Sequence, residues 1–219
     1  MRSVLTCLLF VTPVFTAGML VAAENPAIDG KQPLPSAGAS IPLSGHWTME
    51  RILSMNHEQS MALWKTLPPA TIQELQGHYM GLVPNSGDPK RQAGMADYMY
   101  SEKSVRGYWL GKVFRQTGEN SGEGYNIWRF PNGKIVRNLR LATQVGKSLI
   151  DDRQSLLLNY GAYNKSTLTD ELRKVEDGVF IGAATTETRD GKRSPPDHFF
   201  LIGPIDTWVD IETAGSHAK

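Results

Sequence analysis

Two spacings of apolar residues divide the chain. Between residues 46 and 76 the spacing is helical: Met49, Ile52 and Leu53 fall on one face. Met61, Leu63 and Trp64 follow in a second segment that Asn56 can cap and Pro68-Pro69 stops. Thr71-Ile72-Gln73-Glu74 has the Thr-x-x-Glu form of a capping box and opens a short turn ending at Gly77. From His78 the helical period is lost. Short β-branched and aromatic runs, separated by Gly, Asn and Asp, predict strands near 78–83, 107–116, 124–130, 134–143, 154–160, 168–175, 178–186, 197–202 and 207–212. Asn132-Gly133 and Asp177-Gly178 are tight-turn pairs, so their flanking strands form hairpins. About eight or nine antiparallel strands predict a closed barrel or a sandwich. Periodicity does not choose between them.

The ends of the chain have other patterns. Val4 to Ala23 is nearly all apolar, follows Arg2, and closes on Val21-Ala22-Ala23, the small-residue pattern of a signal-peptidase site. An uncleaved anchor is the rival reading, because the run approaches the ~20 residues a bilayer requires. Pro13, Gly18 and the polar segment that follows favour cleavage after Ala23. The expected organisation is a signal peptide at 1–23, a Pro-rich linker at 24–45, a helical segment at 46–76, a β domain at 77–213 and a tail at 214–219. Pro84 to Gly94, centred on Gly87-Asp88-Pro89, reads as a second, short spacer.

Composition narrows the chemistry. Cys7 is the single cysteine and lies in the signal, so no disulfide is expected in the exported domain. Removing the first 23 of 219 residues leaves 196, enough for one domain with a sizeable core. It also leaves 22 basic against 22 acidic side chains. That balance argues against nucleic acid, whose binding draws on a positive excess. No later stretch is apolar and long enough to span a membrane, so no stable insertion is expected after cleavage.

Several short motifs then carry a family resemblance. Gly107-Tyr108-Trp109-Leu110-Gly111-Lys112 contains Gly-x-Trp-x-Gly followed by Lys. Leu67-Pro68-Pro69 leads into Gly77-His78-Tyr79-Met80-Gly81, and Leu158-Asn159-Tyr160 precedes Asp170-Glu171-Leu172-Arg173-Lys174-Val175. Phe180-Ile181-Gly182 and Phe199-Phe200-Leu201 come last. Over roughly residues 60 to 203 this order resembles a bacterial family named for its Gly-x-Trp-x-Gly motif, with the domain of unknown function that often follows it. Tyr79 stands where the family pattern has Trp, and Leu172 where it has Phe. The resemblance implies a mainly β fold: an antiparallel, lipocalin-like β-barrel preceded by a short helical segment. It implies little chemistry.

The candidate residues each have two readings. Trp109 lines a ligand cavity or plugs the barrel end, with Gly107 and Gly111 allowing close approach. Arg173 anchors a ligand oxygen, or stacks on the plug tryptophan as the resemblance implies. Asp170 and Glu171 are adjacent, so they point to opposite strand faces and cannot form one acid/base dyad. Lys112 is three residues past Trp109, so both are interior only if the strand bulges near Gly111. His198, beside Asp197 and Phe199, is the candidate general base, and Arg173 is a second, separate catalytic candidate. Tyr79, Trp109, Trp128 and Tyr160 are the candidate aromatic wall, with Lys112, Asp170 and Arg173 as ligand-binding polar groups. His46, His57, His78 and His217 lack ligand spacing, so no metal is expected, and no cofactor motif is present. A Gly-x-Ser-x-Gly elbow is also absent. Gly118 to Gly124 is glycine-rich but acidic, the wrong sign for phosphate, and is expected as a mobile loop over a barrel mouth.

The expected function is binding of a small apolar or amphipathic molecule, outside the cytoplasm, in the periplasm or secreted. A cofactor-free isomerase or lyase using the same cavity is the alternative. A protein-interaction module with a filled barrel is the third. On export, protein purified from its host is expected to begin at Glu24 by intact mass. Residues 1–23 retained in the membrane fraction would establish the anchor instead.

Overall fold

In the computed structural model the β-branched runs become eight strands. They are β1 (Gly77–Leu82), β2 (Tyr108–Gly118), β3 (Ser121–Arg129), β4 (Ile135–Lys147), β5 (Gln154–Asn159), β6 (Thr169–Glu176), β7 (Val179–Thr185) and β8 (Asp197–Asp206). The structure describes residues 46–101 and 107–211; the expected cleavage site, the Pro-rich linker and the tail lie outside them. Each strand pairs antiparallel with the next, and β8 returns to β1 through pairs such as Gly81↔Leu201, closing the barrel. Closure leaves no free edge, which explains why residues 207–211 of the expected ninth strand join no sheet. Thr207–Ile211 instead crosses the outer face of β2 and β3. There Trp208 meets the Tyr125 ring at 4.9 Å, and the Arg115 guanidinium lies 4.4 Å over Trp208.

Among the described residues three α-helices accompany the barrel: α1 (Met49–Ser54), α2 (His57–Trp64) and α3 (Pro89–Tyr100). Asn56 and Gln59 form a reciprocal capping box at the start of α2. Ile52, Met55, Leu63 and Trp64 bury their apolar faces on Val179, Ile181 and Phe200, the outer side of β7 and β8. The chain then crosses one end of the barrel. Lys174 N–H donates to Pro68 O at 3.1 Å and Ala70 N–H to Leu172 O at 3.3 Å. Ala70, Ile72 and Leu75 join Tyr79, Phe114 and Phe180 in a buried cluster that fills this end. Of the capping box expected at Thr71–Glu74 the acidic half forms: Glu74 accepts from Thr71 N–H and from its hydroxyl, while Glu74 N–H donates to the Thr71 backbone carbonyl.

The spacer expected at 84–94 is instead largely helical. Asp88 caps α3 by accepting from Lys90 N–H and Arg91 N–H, and Pro89 occupies the first turn, where its missing N–H costs nothing. The acidic glycine-rich segment at 118–124 is also not a loop over a mouth. It is the tight β2–β3 turn at the filled end, where Gln73 donates to Glu119 O.

One irregularity decides which residues face inward. Trp109 pairs with Trp128 but Gly111 with Ile127, so β2 carries one extra residue: a bulge at Leu110-Gly111. Lys112 then stands opposite Asn126, two residues from Trp128, and Trp109 and Lys112 share a face despite their three-residue separation. Gly111 has φ +139°, and a Cβ there would lie 1.9 Å from the Tyr79 carbonyl oxygen. At Gly81 a Cβ would overlap the Trp109 ring, so this glycine lets the indole cross β1. Gly111→Ala is expected to cost about 2 kcal/mol or more in chemical denaturation. Gly94→Ala on α3, where nothing lies within 4 Å of the new methyl, should be neutral or stabilising.

Candidate ligand-binding site

Opposite the filled end the barrel holds a cavity of about 730 Å³. Trp109 and Lys112 of β2, Asn126 and Trp128 of β3, Leu139 of β4, Asp170 of β6 and Phe199 of β8 form its wall. Tyr160 contributes from the short 3-10 turn after β5. Leu139 adopts φ +53° at a register shift in the β3–β4 pairing. Met95, Tyr98 and Met99 of α3 cover the mouth. That helix is tied at both ends: Arg91 pairs with Asp197, and the Tyr100 hydroxyl accepts from Val83 N–H at 2.7 Å. Burial, reinforced by Tyr108, pushes the Tyr100 phenol up to about 12, so it stays protonated.

The polar groups in the wall form one network. Lys112 Nζ lies 2.9 Å from Asp170 Oδ2, 2.9 Å from Asn126 Oδ1 and 2.5 Å from the Tyr160 hydroxyl. Tyr160 donates to Asp170 Oδ2 at 2.8 Å and accepts from Asn126 Nδ2 at 3.0 Å. Trp109 Nε1 donates to Asn126 Oδ1 at 3.0 Å. Lys112 and Asp170 are each 3% exposed, so the ion pair is shielded from bulk water. Three rings, Trp109, Tyr160 and Phe199, surround the ammonium at 5.1–5.5 Å. Burial and the neighbouring Asp170 push the Tyr160 phenol well above its ordinary value.

Of the residues expected at a site, Trp109, Lys112, Trp128, Tyr160, Asp170 and His198 line the cavity. Tyr79 does not. It packs in the filled end between Phe114 and Phe180 and donates to Glu74 O. Arg173 does not either. Asp170 and Leu172 take the inner face of β6, so strand alternation sends Arg173 outward against α2. Its guanidinium donates twice to Asp151, at 2.8 and 2.6 Å, and to Trp64 O at 2.8 Å, and lies 4.3 Å over the Trp64 ring. The stacking partner is thus Trp64, a helix residue, and not Trp109. Burial works to raise the Asp151 carboxyl, but hydrogen bonds from Arg173 and Arg153 N–H outweigh it and hold the group low. Glu171 faces away from Asp170, accepts from Leu149 N–H at 2.8 Å, and is raised by burial.

His198 reaches the cavity rim but packs on α2, its ring 5.2 Å from His57 and 6.3 Å from Trp64. Both of its nitrogens are buried without a partner among the described residues. Burial, with the His57 and Arg91 charges, lowers it to about 3. The neutral imidazole is thus a weak base. The site residues that motif reasoning missed include Asn126, Leu139, Phe199 and the α3 residues Met95, Tyr98 and Met99; the Asp88-Pro89 pair and the i, i+4 spacing of Met95 and Met99 were the available signals. Among the described residues, no group of three or more His, Cys, Asp or Glu is placed to hold a metal.

Closure by eight sequential antiparallel strands is the arrangement of up-and-down barrels such as lipocalins. The chain folds as a lipocalin-like barrel. No family model matches it and no curated protein matches it in sequence, so the Gly-x-Trp-x-Gly resemblance rests on its short motifs. Among solved structures, it is similar to a protein from Thermomonospora curvata at 20% identity and TM-score 0.47, over 68% of this chain and 87% of that one. It is also similar to bovine odorant-binding protein, solved with a selenium-containing odorant, at 11% identity and TM-score 0.35, over 64% and 76%.

Two outcomes follow from the placements. Arg173→Met strands Asp151 and the Trp64 carbonyl and should cost about 3 kcal/mol of stability. It should leave ligand affinity in the folded fraction unchanged, as calorimetry with urea melts would show. His198 binds its proton more weakly folded than unfolded, so its contribution favours folding fully above pH 6.5 and is lost as pH falls from there toward 3. The loss is on the order of 4 kcal/mol. His198→Leu should therefore flatten the fall in melting temperature across that window relative to the parent. Parallel curves would contradict the assignment.

Proposed function

We propose that this chain is an exported binder of a small amphipathic or aromatic molecule held in the barrel cavity. The observation that carries the reading is an ion pair at 2.9 Å beside Trp109, Trp128, Leu139 and Phe199 in the wall of a cavity of about 730 Å³. Ligand sites combine such walls with a few placed polar groups. A buried ion pair adds little net stability against apolar replacements, so a role in recognition accounts for it better than a role in folding. The volume suits a bound molecule rather than the filled barrel of an interaction module.

The chemistry of the groups supports holding over turnover. The Tyr160 proton is committed to Asp170, its phenol is pushed far above neutrality, and His198 is a weak base. N-phenyl-1-naphthylamine, a neutral fluorophore, is expected to bind with a rise in emission and to be returned unchanged by mass spectrometry. Ala184→Trp, which places an indole in the cavity wall, should weaken it at least about tenfold, the loss of one good contact. Equal binding by parent and variant would place the ligand elsewhere, and a chemically altered probe would favour the enzyme.

A further inference from the structure

The hydrogen-bond valences of the network point to the chemical class of the ligand's polar group. An ammonium has three protons: Lys112 donates to Asn126 Oδ1 and to the Tyr160 oxygen, and its remaining side faces Asp170 Oδ2 as an ion pair at 2.9 Å. The Tyr160 oxygen has one proton and two lone pairs: it donates to Asp170 and accepts from Lys112 and Asn126. Asn126 Oδ1 accepts from Trp109 and Lys112, which fills its two lone pairs. Asp170 Oδ2 accepts from Tyr160 and faces the Lys112 ammonium. Two capacities remain: Asp170 Oδ1, which hydrogen-bonds to no described group, and the second proton of the Asn126 amide. A separate buried donor on the same wall, Trp128 Nε1, also has no partner among the described residues.

We propose that the cavity selects a neutral hydroxyl-bearing ligand, an alcohol or phenol, and rejects a carboxylate. The inference deepens the binding reading and rests on it. A hydroxyl donates to Asp170 Oδ1 and can accept from the second proton of the Asn126 amide. A carboxylate brings negative charge to an ion pair that is already balanced and faces Asp170 in a shielded site, while Arg91, the other cation of the cavity lining, is itself paired with Asp197. An ether offers nothing to the free carboxylate oxygen.

The test is competition against N-phenyl-1-naphthylamine at pH 7 by matched series on two apolar bodies. One is 2-naphthol, 2-methoxynaphthalene and 2-naphthoate; the other is 1-decanol, decyl methyl ether and decanoate. In at least one series the alcohol should displace the probe at about tenfold lower concentration than its ether or its carboxylate, the scale of one hydrogen bond to a charged group. Asp170→Asn should reverse the order, because Lys112 then lacks its counter-charge and the carboxylate supplies it. Tyr160→Phe frees one Lys112 proton and should also raise carboxylate affinity about tenfold. If either variant fails to fold, the other, together with the parent series, decides. Should the probe bind while ethers or carboxylates compete as well as the alcohols, or while nothing in either series displaces it, the hydroxyl preference is wrong and the binding reading stands. Should neither the probe nor any member of either series bind the parent, the binding reading itself falls.

Discussion

The Lys112–Asp170 ion pair is the constraint around which the open half of the barrel is arranged. Two opposite charges in a cavity wall must meet each other and have their remaining valences filled, or burial costs several kcal/mol, on the order of 3 or more. Asn126 and Tyr160 accept from Lys112, Tyr160 also donates to Asp170, and Trp109 completes Asn126 Oδ1, so that Asp170 Oδ1 alone of the pair's oxygens has no hydrogen bond to a described group. Residues from β2, β3, β6 and the turn after β5 are thereby fixed relative to one another across the lumen. The bulge at Leu110-Gly111 exists in the same context: without it Lys112 would point outward while Trp109 pointed in.

This arrangement splits the barrel into two working parts. At one end the chain segment before β1 inserts Ala70, Ile72 and Leu75 among aromatic rings and leaves no room for a guest. At the other, small residues and the polar network leave space, and α3 covers it through an ion pair at its start and a phenol hydrogen bond at its end. None of the α3 residues is fully buried, so the helix is held by few contacts. Segments of that kind open at low cost compared with the strands beneath them. The geometry is suited to entry of a ligand without disturbing the barrel.

Much of this was legible in the order of residues, for physical reasons that can be named. Hairpin turns at Asn132-Gly133 and Asp177-Gly178 mark antiparallel neighbours, and alternation separates Asp170 from Glu171 and Arg173. Alternation has no sign, however. It groups Arg173 with Glu171 but does not say which face is inner, because α2 buries the outer face as thoroughly as the lumen buries the inner one. Tyr79 was misplaced for a related reason: a barrel interior has two ends, and period-2 spacing does not tell a filled one from an open one. The segment after β8 has strand composition but meets a closed sheet, so tertiary closure overrides local propensity. Asp88-Pro89 reads as a turn as readily as a helix start, and only the covered cavity shows which applies.

The central claim, that an amphipathic guest occupies the open half with its polar group at Asp170, is tested most directly by crystallography with 6-bromo-2-naphthol. The account predicts an anomalous bromine peak within the cavity, between the Trp109–Trp128 wall and α3, and the naphthol oxygen within hydrogen-bonding distance of Asp170 Oδ1. A cavity free of bromine at saturating ligand, or a naphthol oxygen turned toward the mouth and away from Asp170, would contradict it.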